Sequence, residues 1–360
     1  MNIEGICKSF GICGEIVACD VIKSGNINNT LKITVRDGSG EDCYIVQQIN
    51  THVFREPVRM MRNISLVTTH ISEKLGEKSD RMVLEFLKTK SGDSCLFDDE
   101  GRCWRSYRFI DDSVTYDLCD DLEVLEQTGA AFGNFQMMLG DFDAGALFET
   151  IPDFHNTEKR MNTLFAHAEE DSLARLAEVS EEMKFFRENL DRAVKLTRMQ
   201  KEGRLPLRVT HNDTKGNNVL FDTHTKKALA VIDLDTVMPG LALHDYGDAV
   251  RFAANTALED EPDVSKIALS DSKFRAFTKG FLTACGGVLT DAEKENLVDS
   301  IIVMTMELAA RFLDDYLTGD KYFKTDYPGH NLVRTRAQIT LARDVILRYN
   351  ELNEIVKTLL

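Results

Sequence analysis

Apolar and polar residues alternate with a period of two over residues 16–22, 30–35 and 44–49, and the stretches between them, SGNINN and DGSG, are built of turn formers. Side chains on a strand point alternately to opposite faces, so this pattern predicts a β-meander. Asp37-Gly38 followed by Gly40 is the hairpin signal between the second and third strands. After Pro57 the period lengthens, and Val58, Met61, Ile64, Ser65 and Thr68 fall on one face of a predicted helix. Strand-like runs at 82–87 and 103–110 complete a small sheet with one helix.

Beyond residue 110 the pattern turns helical. Leu122, Leu125, Gly129, Phe132, Gln136 and Leu139 form one stripe that ends at Gly140, and Phe186, Leu190, Ala193, Val194 and Thr197 form another that ends near Gly203. Two short strands, at 207–210 and 229–234, flank a polar loop, and helices resume from about residue 270. There is no internal repeat and no low-complexity linker. The expected organisation is a β-rich domain over 1–110 and a helical domain over 111–360.

Charge sharpens this division. The formal net charge is −16, yet residues 1–110 hold 15 basic and 15 acidic side chains, so the whole excess lies beyond them. A chain this acidic is unsuited to general nucleic-acid binding or to anionic membrane surfaces, both of which depend on Lys and Arg. Between Phe109 and Glu158 there is no Lys or Arg, while twelve acidic residues occur from Asp111 to Glu158. A solvated acidic helical face is the first explanation; an acidic cleft wall that recruits a cationic substrate is the alternative. The N-terminus does not read as a secretory leader, and no apolar run reaches the length of a membrane helix. Eight cysteines without a CxxC pair point to free thiols in a reducing, cytoplasmic setting.

The chemistry concentrates in two strings, THNDTKGNNVLF and ALAVIDLDT. Asp213 precedes Asn218 by five positions, and Asp233 follows fifteen further on at the end of an apolar strand. Phosphoryl transfer needs a carboxylate to orient and deprotonate the attacking hydroxyl, together with hard oxygen ligands for Mg²⁺. Asp213 suits the first role, and Asn218 with Asp233 the second. His211 is expected to brace the loop. Asp235, Asp245 and Asp248 are expected to support the cleft, with Asp235 a possible aid to the metal. Any one of these residues could be a turn former; the three in this order, on these elements, are a specific combination.

HNDTKGNNVL followed by VIDLD resembles the H-x-D-x-x-x-x-N and I-D-x-D pattern of the aminoglycoside phosphotransferase and choline kinase superfamily. The strings SGNINNT, YIVQQIN, MRNISLV, YRFID, GAAFGNFQ, NTALED, RFLDDYLTGDKYF and HNLVRTRAQI are similar, in order and position, to the bacterial N-acetylhexosamine 1-kinase family from about residue 15 to 345. The resemblance implies an α+β, two-lobed, protein-kinase-like fold, with a small antiparallel sheet lobe over the nucleotide and a larger, mainly helical lobe. It implies ATP and Mg²⁺ as cofactors and an amino sugar as acceptor, phosphorylated at its anomeric hydroxyl. Gly25, Asn26 and Asn28 would then cover the phosphates, Gln48 would approach them, and Arg108 and Ile110 would lie where adenine binds. Asp213, Arg311 and Tyr322 would contact the sugar.

Two departures stand out. The third strand carries Gln47 and Gln48 where a protein kinase has lysine, so the missing charge is expected from Mg²⁺ or Arg62. Asn26 stands where the resembled family favours histidine. Two alternatives remain open: an aminoglycoside or choline-type kinase of the same fold, and a non-catalytic nucleotide-binding protein, for which loss of the lysine is the support. Nothing in the sequence requires more than a monomer.

Overall fold

Asp37 and Gly40 face each other across a two-residue connection, as the hairpin signal predicts, and the strands they end belong to the main sheet. The computed structural model describes residues 2–22, 27–38, 40–117 and 120–360. They form a mixed α+β fold with an antiparallel N-terminal sheet and a helical C-terminal region. Two compact units are present: one comprises Met1–Thr115, Asp141–Ile151 and Val219–Pro239, the other Tyr116–Gly140, Pro152–Asn218 and Gly240–Leu360. The division is therefore not a single cut in the sequence, and Asp233 belongs to the first unit.

The first unit opens with α1 (Ile3–Ser9), capped by the Asn2 side chain, and continues with β1 (Glu15–Ile22), β2 (Asn29–Asp37) and β3 (Gly40–Ile49). Helix α2 (Pro57–Leu75) and strands β4 (Leu96–Phe97), β5 (Cys103–Arg108) and β6 (Ser113–Val114) follow. The main sheet runs β1-β2-β3-β5-β4. One of its cores joins Ile33, Val35, Val46 and Trp104 to Ile6 and Phe10 beside it. The expected strand at 82–87 is instead an extended edge that touches β5 through one bridge, Phe86 with Tyr107. On α2 the buried face is Met60, Met61, Ile64, Val67, Thr68 and Ile71; Val58, in the first turn, is exposed.

The second unit is built from α3 (Leu122–Met138), α4 (Thr157–Glu170), α5 (Ser180–Glu188), α6 (Leu190–Ala193), α7 (Lys195–Lys201) and strand β7 (Arg208–Thr210). The single helix expected over 186–197 is broken at Asn189 and Val194. Asn189 donates its side chain to Phe185 O at 2.9 Å, a local bond that competes with the helical ladder. Strands β8 (Val219–Asp222) and β9 (Ala228–Val231) return to the first unit, in a sheet ordered β6-β8-β9. Helices α8 (Ala242–Ala253), α9 (Asp271–Cys285), α10 (Asp291–Lys294), α11 (Leu297–Thr318), α12 (His330–Leu347) and α13 (Tyr349–Lys357) complete the helical unit. Most of α11 is buried, so it forms the axis against which α4, α8 and α12 pack.

Among the described residues no helix is long and apolar enough to cross a membrane, and the seven described cysteines are free. The acidic run is engaged locally. Asp120 pairs with Lys273, Glu126 with Lys279, Asp141 with Lys74 and Glu158 with Lys201, while Asp121 and Asp143 cap helical starts.

Candidate active site

The loop after β7 is held by its backbone. His211 N and Asn212 N each donate to the Asp245 carboxylate at 2.8 Å, and Thr214 Oγ1 donates to Asp245 O at 2.7 Å. Gln136 of α3 donates to Val209 O at 3.0 Å and reaches the same carboxylate at 3.3 Å. Asn212 takes a left-handed φ of 64°, a conformation Asn tolerates better than most residues, and so turns the chain after the buried His211. Burial pushes the Asp245 carboxyl up, against the pull of His211 and the two backbone donors. Sequence reading placed Asp245 among the supports of the cleft; its contacts show what it supports.

That scaffold presents Asp213, half-buried. Asn218 Nδ2 donates to Asp213 O at 2.7 Å and to its Oδ2 at 3.1 Å, so the amide is oriented by its nitrogen and its carbonyl oxygen is a hard donor of the kind Mg²⁺ prefers. Lys215 Nζ lies 2.8 Å from Asp213 Oδ1. Burial pulls the Lys215 ammonium down, but Asp213, Asp248 and Glu259 outweigh it, so it stays charged. Lys215 escaped the sequence reading, although its place two residues after Asp213 was the available signal. Asp248 itself is paired with buried Arg251 at 2.7 Å.

Arg311, on α11, and Tyr322 are brought together: the guanidinium donates to the Tyr322 hydroxyl at 3.4 Å and lies 5.7 Å from the ring centroid. Arg311 makes no ion pair with Asp314 or Asp315, the acidic residues three and four positions on. Asp314 bonds His167 at 2.6 Å, and Asp315 accepts from Lys321 N, Tyr322 N, Phe323 N and Asn331. Asp315 therefore shapes the loop that carries Tyr322.

In the first unit, Gly25 and Asn26 lie outside the described residues. Asn28 is anchored at both ends, donating to Asp235 at 2.7 Å and accepting from Asn50 N at 3.0 Å. Buried Asp235 also pairs with buried Arg105, which donates to Gln47 Oε1 at 2.9 Å. Burial works against the Arg105 charge, but Asp235, with Asp233 further off, keeps it protonated. Arg105 is the buried cation beside the lysine-free strand. Arg62 is on the exposed side of α2, lining a groove of about 840 Å³ with Ser65, Thr69 and Phe97. Asp233 is exposed at the end of β9, in a left-handed turn at φ 58°. Gln48 accepts from Asn29 at 3.4 Å.

Arg108 donates its N–H to Glu85 O at 3.0 Å and extends its side chain over Tyr44, so it is occupied on the surface. Ile110 is buried with Leu84 and Ala230, beside Leu220 and Ile232, in an apolar cluster. Sequence spacing alone did not reveal these partners.

Several solved structures share this architecture. They include a microcompartment-associated aminopropanol kinase, at 14% identity over 94% of each chain with a TM-score of 0.58. An aminoglycoside phosphotransferase from Alicyclobacillus acidocaldarius matches at 13% identity over 99% of this chain and 97% of that one, with a TM-score of 0.57. Spectinomycin phosphotransferase in complex with ADP and spectinomycin matches at 12% identity over 96% of this chain and 97% of that one, with a TM-score of 0.55. At such identities the likeness is one of fold. The sequence profile of the phosphotransferase enzyme family, APH, matches residues 20–272, a span that holds Asp213, Asn218 and Asp233. The chain belongs to the phosphotransferase enzyme family.

Proposed function

We propose that this phosphotransferase transfers the γ-phosphoryl group of ATP to the anomeric hydroxyl of N-acetylglucosamine or N-acetylgalactosamine, giving the N-acetylhexosamine 1-phosphate and ADP. The observation that carries the reading is the fixed carboxylate: Asp213 stands on a loop clamped by Asp245, with Asn218 and Lys215 on either side. Asp213 accepts the C1 hydroxyl proton as that oxygen bonds to the γ-phosphorus, and the bond from phosphorus to the bridging oxygen breaks to release ADP. Lys215 is placed to stabilise the negative charge that gathers on the transferring group. Asn218 and Asp233 are each proposed as an oxygen ligand of Mg²⁺, which supplies charge neutralisation when bound. Asn28, Gln48 and Ile110 are proposed on the nucleotide side, and Arg311 with Tyr322 on the sugar side.

A cationic acceptor is the second reading, favoured by the substrates named for the aminopropanol kinase and the spectinomycin phosphotransferase. The acidic run offers it little, since many of those carboxylates cap helices or pair with lysines. Arg311 also has Arg160 close enough to repel it, a poor setting for an ammonium group. ADP release measured across N-acetylhexosamines and amino-alcohols separates the two. Turnover confined to the sugars is expected, and turnover confined to the amino-alcohols contradicts the proposal.

A further inference from the structure

Five buried side-chain polar atoms of the described residues have no hydrogen-bond partner, and three of them are His155 Nε2, Arg160 Nε and His244 Nε2. All three residues lie around one carboxylate, Glu307. Buried polar groups are nearly always satisfied, so three orphans in one place call for a partner. Glu307 bonds none of the three: its oxygens accept from His155 Nδ1–H at 2.8 Å and Thr157 Oγ1 at 2.5 Å, which leaves a neutral His155 ring with a lone pair at Nε2. The His155 and His244 rings are 5.1 Å apart, and Arg160 is held by a 3.3 Å bond to Phe154 O.

The surroundings show what kind of group is missing. Arg311 follows Glu307 by one helical turn on α11, and its guanidinium lies 5.8 Å from the Phe154 ring. Arg160 and Arg311 repel each other, so the neighbourhood is positive, and Arg160 Nε–H is an unused donor in it. An ammonium group would meet two guanidiniums. The group that fits offers an acceptor oxygen to Arg160 Nε–H and an N–H to the imidazole lone pair, as an amide does. Tyr322, near Arg160, is 72% exposed, and its hydroxyl is held by Arg311 at 3.4 Å.

We propose that His155, Arg160 and His244 form a pocket near Tyr322 that takes the N-acyl amide of the acceptor sugar, with Arg160 Nε–H donating to its carbonyl oxygen and His155 Nε2 accepting from its N–H, making these residues determinants of acyl specificity. The inference rests on the sugar-kinase reading, with Arg311 and Tyr322 on the acceptor side.

The test compares N-acetylglucosamine with glucosamine, and N-acetylgalactosamine with galactosamine, in the wild type, His155→Gln and Arg160→Met. The wild type is expected to favour each N-acetyl sugar by roughly a hundredfold or more in kcat/KM, because a site built to bond an oxygen is left unpaired by its absence. Each variant is expected to cut that preference at least tenfold, mainly through KM. Equal use of acylated and free sugars by the wild type, or an equal loss on both in the variants, overturns the proposal. A second measurement needs no turnover and no variant to fold: proton NMR of the wild-type imidazoles during titration with N-acetylglucosamine, alongside calorimetry. Shifts of His155 and His244 on binding support the pocket. Sugar binding that leaves both unmoved overturns it while sparing the sugar-kinase reading, and no binding or turnover of any sugar overturns both.

Discussion

At the scale of single residues, the site depends on one carboxylate and on what holds it. Asp213→Asn keeps the shape and the bond from Asn218 but removes the proton acceptor. It is expected to lower kcat roughly 100- to 10,000-fold with little change in melting temperature, a split that steady-state kinetics and calorimetry read together. Lys215→Met is expected to cost about 100-fold in kcat by withdrawing a fixed positive charge from the transferring group. Arg105 acts on stability. Removing it strands buried Asp235, so Arg105→Met is expected to lower unfolding free energy by about 3–5 kcal/mol in denaturant titrations. His244 sets a pH dependence: burial first, then His155, holds its imidazole at about 3 instead of 6.5. Between those values the unfolded chain takes up a proton that the folded chain refuses. Stability is thus complete above pH 6.5 and falls as pH drops towards 3, with Glu307, itself depressed to about 2, adding to the loss below 4.5. His244→Gln is expected to flatten the limb between pH 3 and 6.5. Asp213, Asn218 and Asp233 were open to proposal from the sequence because their spacing on a loop and a strand end matches what phosphoryl transfer asks for, and the structure brings the first two into a 3.1 Å contact. Arg160, His155 and His244 were not, since they meet only when α4, α8 and α11 pack around Glu307.

At the scale of elements, glycine decides how closely helices approach. A methyl at Gly129 would stand 2.1 Å from Phe277 O, and one at Gly280 would stand 1.9 Å from Glu126 O, so α3 and α9 touch backbone to backbone. Gly129→Ala and Gly280→Ala are each expected to destabilise the helical unit by about 1–3 kcal/mol or more, measured as a shift in denaturant midpoint. Because Gln136 of α3 also holds Val209 O, kcat is expected to fall alongside stability. The helical stripe containing Gly129, Phe132 and Gln136 could be read from spacing, for a period near 3.6 survives any tertiary context. The edge at 82–87 and the breaks at Asn189 and Val194 could not. An apolar run does not say whether a neighbouring strand will pair fully with it, and Asn189 leaves the helix through its own side chain.

At the scale of the whole molecule, the α+β division was visible as a change of period near residue 110, whereas the return of β8 and β9 to the first unit was not. The strand β6 that pairs with β8 is only two residues long, too short to announce itself. The net charge of −16 is consistent with solubility and offers no platform for polyanions. Its excess lies in the segments beyond residue 110, where capping and ion pairing occupy much of it. A neutral sugar acceptor therefore predicts a KM that changes little between low and physiological salt, and a steep rise with salt would mark a cationic acceptor instead. The central claim is most directly tested by phosphorus NMR of the product formed from ATP and an equimolar panel of N-acetylglucosamine, N-acetylgalactosamine, choline and an aminoglycoside. The account predicts a single class of product, a phosphate ester on C1 of the N-acetylhexosamine, absent with Asp213→Asn. A phosphate on C6, or one found only on choline or the aminoglycoside, would contradict it.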